Sequence, residues 1–138
     1  MKKKKLLEHF FTFSSWEEKY CYIIELGKKL KKFPESKKTK NNLIHGCQNK
    51  SWIYLKKVKT KKNYKIVFFG ESEALIVKGL MAILFIFYED LSCSEIINFD
   101  AKKIFKKIAL DQYLTFSRSQ SLHYIFEHIK KILLSMKK

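Results

Sequence analysis

The sequence predicts an α+β domain in which several α-helices pack on one face of a small antiparallel sheet. Three observations predict it. Between Ser51 and Gly70 the apolar residues recur with a period of two, as in "SWIYLKKV" and "YKIVFFG", whereas on either side they recur at helical spacing. The chain has 138 residues, of which 46% are hydrophobic and 15% aromatic, enough for one core and too short for two comfortable ones. No internal repeat divides it, so residues 1–138 read as a single domain.

Each element has its own warrant. Leu6, Leu7 and Phe10 place a short helix over residues 6–13. Ser15 and Glu18 have capping-box spacing, Trp16, Tyr20, Ile23 and Ile24 follow at helical period, and Lys28 to Lys32 suit the negative end of the dipole. A helix is therefore expected from about Ser15 to Lys32, stopped by Pro34. Residues 34–46 read as a loop that leads into a short strand near 43–46. The hairpin over about 51–70 turns at "KTKKN", with Trp52 and Tyr54 on one face and Ile53 and Leu55 on the other. Ser72 is expected to cap the next helix, "ALIVKGLMAILFIFY", which is apolar almost all round and so belongs at the centre of the fold. Ser92 and Glu95 repeat the capping-box pattern, Asp100 caps a helix with Ile104, Phe105 and Ile108 inward, and the last helix carries a stripe of Leu122, Ile125, Phe126, Ile129, Ile132 and Leu133.

Composition excludes some function classes. The net charge of +16 invites a nucleic-acid reading, but of 29 basic residues only Arg118 is arginine, and the lysines are scattered over nearly every segment. A basic RNA-binding module stays as the alternative, and no nucleic-acid partner is expected. The longest apolar run, Ala74 to Tyr88, contains Lys78 and spans 15 residues, short of the roughly 20 a membrane helix needs. The basic start is interrupted by Glu8 and His9, which does not suit a secretory signal. With three cysteines and no C-x-x-C spacing, the expected setting is a reducing cytoplasm with free thiols.

The three thiols differ. Cys21 lies inside the first long helix and reads as core filler. Cys93 takes the first position of a capped helix, where the dipole favours thiolate, but it has no chemical neighbour in sequence. Cys47 follows Gly46 in a loop that enters a strand, and His45 and Lys50 nearby would favour thiolate. His45 and Cys47 alone make a poor zinc site, so no metal is expected, and His9, His123 and His128 on amphipathic helices give no triad support. These arguments make Cys47 the best placed of the three and leave its chemistry open.

The motifs add a resemblance. The segments "WEEKYCYIIELGKKL", "GCQNKSWIYLKK", "GESEALIVKGLMAILFIFYEDLS", "EIINFD" and "LTFSRSQSL" together resemble the SufE family, sulfur acceptors of the cysteine desulfurase SufS in iron–sulfur cluster assembly, with CsdE as the paralogous alternative. The resemblance implies that Cys47 takes sulfur from the desulfurase persulfide, stimulates that enzyme and passes the sulfur to a SufBCD-like scaffold. It implies a sulfur-transfer partner and not an independent enzyme, with pyridoxal phosphate belonging to the desulfurase and no cofactor here. A homodimer stays open. Gly46, Gln48 and Trp52 match the signature around the cysteine, Arg118 matches the arginine of a serine–arginine–serine element, and Glu73 matches an acidic partner-binding position. The family's loop tucks its cysteine toward an apolar pocket. Asn49 and Ser51 depart from the usual serine and valine, and Phe116 and Ser121 from a proline and a glycine; a polar Ser51 is expected to loosen the loop.

Overall fold

The computed structural model describes residues 2–46, 49–107 and 116–136, leaving aside the side chains of residues 107 and 116–118. Helices α1 (Lys2–Thr12) and α2 (Trp16–Lys28) lead through a short 3-10 turn (Glu35–Lys37) to strands β1 (Ser51–Lys59) and β2 (Tyr64–Ser72). Helices α3 (Leu75–Tyr88), α4 (Cys93–Ile97), α5 (Ala101–Lys107) and α6 (Phe116–Met136) complete the order. This is the expected α+β arrangement.

Helix α3 forms the centre because its sequence leaves it no polar face. From Ile76 to Tyr88 all but Lys78 and Ile86 are buried, and Leu80, Met81 and Ile83 are wholly so. Burying each such side chain stabilises the fold by about 1.5–3 kcal/mol relative to leaving it exposed. The exception, Lys78, reaches out to Glu71 at 3.2 Å. Against α3 lie α2, the inner face of the hairpin and α6. The α2 crossing is very close: a Cβ on Gly27 would stand 2.8 Å from Gly79 N, and one on Gly79 would stand 2.3 Å from Ile23 O. Neither position has room for a side chain.

The hairpin pairs in an unbroken antiparallel register from Ser51↔Ser72 to Lys59↔Tyr64. Ile53 and Leu55 face inward as the alternation requires, and Phe68 stacks on Phe85 of α3 with centroids 5.2 Å apart. The outer face is aromatic and carries lysine side chains. Tyr54 and Phe69, cross-strand partners, lie 5.6 Å apart, while Lys31 stands over Phe69, Lys37 over Tyr54 and Lys38 over Trp52.

Several boundaries depart from expectation for local reasons. Helix α1 begins at Lys2, so the basic start is helical. Helix α2 ends at Lys28, because the Lys29 and Leu30 amides turn back to the Leu26 and Gly27 carbonyls and the chain then runs on to bury Phe33. The strand near 43–46 shrinks to a single bridge, Leu43↔Trp52, since Gly46 at φ 95° turns the chain out of the extended region. Ser72 ends β2 instead of capping α3, whose N-cap is Ala74; its hydroxyl still accepts the Ala74 amide at 3.1 Å. The Ser15 cap forms, but Glu18 reaches Ser14. Ser92 and Glu95 form the full capping box, and the Ser92 amide and hydroxyl hold the Glu95 carboxyl below its ordinary value. Cys21 is exposed and is not core filler, because it lies two positions before buried Ile23, some 200° round the helix. Ile108 lies outside the described residues, while Phe105 is buried as expected.

The crossing predicts a large effect from a small change. Gly79→Ala overpacks the α2–α3 contact and lowers stability by about 1–3 kcal/mol, to be read from urea unfolding beside the exposed control Lys61→Ala.

Candidate functional site

Cys47 and Gln48 lie outside the described residues, as does the side chain of Arg118, which sits in the first turn of α6. The residues around Cys47 nevertheless define the frame of its loop. On the incoming side the Ile44 amide donates to Ser51 O at 2.8 Å, and on the outgoing side the Ile53 amide donates to Asn42 O at 2.9 Å. These bonds close residues 45–50 into a short loop on the end of the sheet.

A second fastening holds the outgoing end. The Lys50 amide donates to Glu73 Oε1 at 3.0 Å, and the Glu73 amide donates to Lys50 O at 2.9 Å. Glu73 thus stands between β2 and α3, exposed, with its carboxylate on the loop. One residue on, Ser51 is completely buried, with its Oγ 2.8 Å from Ser72 Oγ and 3.2 Å from Asn49 O. The polar residue ties the loop down and does not loosen it, because both hydroxyls find partners. Trp52 is half-buried beneath Lys38 and pairs with Glu71.

The incoming end leans on α6. A Cβ on Gly46 would stand 2.7 Å from Tyr124 Cε2, so only glycine combines this φ of 95° with this approach to the ring. One turn further along α6 is His128, with His45 near enough to act on it electrostatically. His128 Nε2 is buried without a hydrogen-bond partner among the described residues. Burial, with Lys131 and His45 close by, holds its imidazole below the usual 6.5. His128 is partly buried on its amphipathic helix, and α6 packing links it and Tyr124 to the loop. Tyr124 and His128 are separated by four positions beside the apolar stripe of α6, and nothing in their spacing points to residue 46.

Of the other thiols, Cys93 is half-buried at the first position of α4, as its capping pattern implies. Among the described residues no group of three or more His, Cys, Asp or Glu could hold a metal. No helix among them is long and apolar enough to cross a membrane.

Two outcomes follow from this geometry. Gly46→Ala lowers stability by about 1–3 kcal/mol through its backbone angle, and adding Tyr124→Ala recovers only the steric share, as a double-mutant cycle in urea would measure. His128 binds its proton more weakly folded than unfolded, so it contributes stability at pH above 6.5 that is lost as pH falls through the lowered value. The urea midpoint of the native chain therefore falls on acidification through that range, and His128→Gln flattens the slope.

Comparison with known proteins gives three concordant findings. Residues 4–133 match the family model described as "SufE: Fe-S metabolism associated domain". The cysteine desulfuration protein SufE of Wigglesworthia glossinidia brevipalpis is 54% identical over 131 residues, covering 95% of this chain and 89% of that protein. A solution structure of a hypothetical protein from Thermus thermophilus matches with a TM-score of 0.74 over 97% of this chain and 94% of that one, at 18% identity, a likeness of fold. With the family model spanning nearly all of it and a relative sharing more than half its residues, the chain belongs to the SufE family.

Proposed function

We propose that this chain is a sulfur acceptor in iron–sulfur metabolism: Cys47 takes sulfur from the persulfide of a SufS-like cysteine desulfurase, stimulating that enzyme, and hands it to a SufBCD-like scaffold. The observation that carries the reading is the loop of residues 45–50, fastened at both ends to rigid elements, with Cys47 within it by sequence. A thiol that exchanges sulfur with two successive proteins needs a short, exposed loop on a firm base, and needs little else.

The chemistry is a thiol–disulfide type exchange. The Cys47 thiolate attacks the terminal sulfur of the desulfurase persulfide, a new S–S bond forms on Cys47, and the old S–S bond breaks to release the desulfurase thiolate. One bond is exchanged for another with no net oxidation, so no electron carrier and no cofactor on this chain are required. Pyridoxal phosphate works on the desulfurase, and this chain acts as its transfer partner in the cytoplasm.

The surrounding residues divide the supporting tasks. Gly46 permits the bend onto Tyr124, and Trp52 anchors the start of β1. Glu73, exposed at the base of the loop, is placed to meet the desulfurase, so docking and loop position are coupled through one carboxylate. Gln48 and Arg118 complete the support; a planar guanidinium beside this loop would hold carbonyl or carboxylate groups in a way lysine does not.

Incubation with a cysteine desulfurase, pyridoxal phosphate and cysteine should add the mass of one sulfur to Cys47, read by intact-mass and peptide mass spectrometry. Cys47→Ser should accept none, while Cys21→Ser and Cys93→Ser accept sulfur like the native chain. Sulfur found on Cys93, or persisting in Cys47→Ser, would defeat the assignment.

A further inference from the structure

Away from the cysteine loop the fold holds a cavity of about 410 Å³, walled by α1, α2, the turn half of β2 and the C-terminal half of α3. That volume lies in the range of small-molecule sites. Its floor is apolar: half-buried Leu26, Phe68 and Ile86 lie over the buried side chains of Leu6, Ala82 and Phe85. The floor residues come from α1, α2, β2 and α3, with Ala82 and Phe85 one turn apart on α3, so the cavity is built into the scaffold and not left by a loop.

The rim is predominantly basic. Lys5, Lys29 and Lys65 line it, and none of the three makes an ion pair among the described residues. The acid at the rim, Glu89, is engaged by Lys2 at 3.6 Å. On one wall His9 Nδ1 and the Tyr22 hydroxyl bond each other at 2.9 Å, and burial pushes the Tyr22 phenol up, so this wall adds no negative charge. Half-buried Leu26, Leu30, Ile66, Phe68 and Ile86 offer the apolar surface, and the three ammonium groups above them make no ion pair among the described residues.

We propose that this cavity binds a small amphipathic organic anion, with its apolar body on Leu26, Ile66, Phe68 and Ile86 and its acidic head among Lys5, Lys29 and Lys65. The head can be carboxylate, sulfonate or phosphate, since ammonium groups recognise charge without the planar geometry arginine imposes. Occupancy leaves the sulfur site open. Phe68 stands four residues from Ser72, where the loop is fastened, roughly 13 Å along the strand. The inference does not depend on the role of Cys47.

The test uses the full chain and anilinonaphthalene sulfonate as the probe, followed by fluorescence, with decanoate as competitor and decylammonium as the head-charge control. One equivalent of dye should bind, decanoate should displace it and decylammonium should not. Replacing Lys5, Lys29 and Lys65 by Gln should weaken the dye at least tenfold. The same three-charge change at exposed Lys56, Lys59 and Lys61 should alter it less than twofold. Ile86→Trp, which adds bulk at the cavity wall, should block it, with circular dichroism reporting the fold. Equal weakening by both lysine triples, several equivalents bound, or no binding would overturn the proposal. So would intact dye binding in the Lys5, Lys29, Lys65 variant joined to lost desulfurase stimulation, which would assign the rim to a protein partner. Sulfur loading of Cys47 in the same variant keeps the two questions separate.

Discussion

The close crossing of α2 over α3 at Gly27 and Gly79 is the constraint from which the rest of the arrangement follows. Helix axes usually stand about 8–10 Å apart, with side chains setting the gap; here backbone meets backbone, with Ile23 O over the site where a Gly79 Cβ would be. That approach lets α2 cover one side of a helix too apolar to face water anywhere. The hairpin then takes another side through Ile53, Leu55 and Phe68, and α6 another through its apolar stripe. Once α3 is fixed, its first turn is fixed too, and Glu73 just before it is delivered to the Lys50 backbone.

The loop of residues 45–50 is therefore held by three separate parts of the fold. The sheet supplies the Ile44 and Ser51 bond, the β2–α3 junction supplies Glu73, and α6 supplies the ring of Tyr124 under Gly46. The buried Ser51–Ser72 pair belongs to the same frame. A valine at residue 51 would fill the space, but it would leave Ser72 Oγ and the Asn49 carbonyl without this hydroxyl.

Lysine plays more than one part in so basic a chain. On the outer sheet face Lys31, Lys37 and Lys38 stand over Phe69, Tyr54 and Trp52, so their charge sits on aromatic rings. At the rim of the cavity Lys5, Lys29 and Lys65 have no such aromatic or acidic partner among the described residues. The difference separates lysines that complete the fold from lysines that do not.

The elements were legible in the residues alone. Period two over residues 51–70, the all-apolar run of α3, the capping box at Ser92 and the stripe on α6 are local patterns, and local patterns decide helix, strand and cap. The "GCQ" and "SRS" motifs likewise made Cys47 the candidate thiol without any contact being known. What touches what came from the packed fold. Cys21 is exposed because of the direction in which α2 presents Ile23, and the expected strand at 43–46 is one bridge because Gly46 must bend onto Tyr124. The partnership of Glu73 with Lys50, and of residue 46 with residue 124, joins positions far apart in the chain. Such pairings depend on packing around α3, and no periodicity within one segment encodes them.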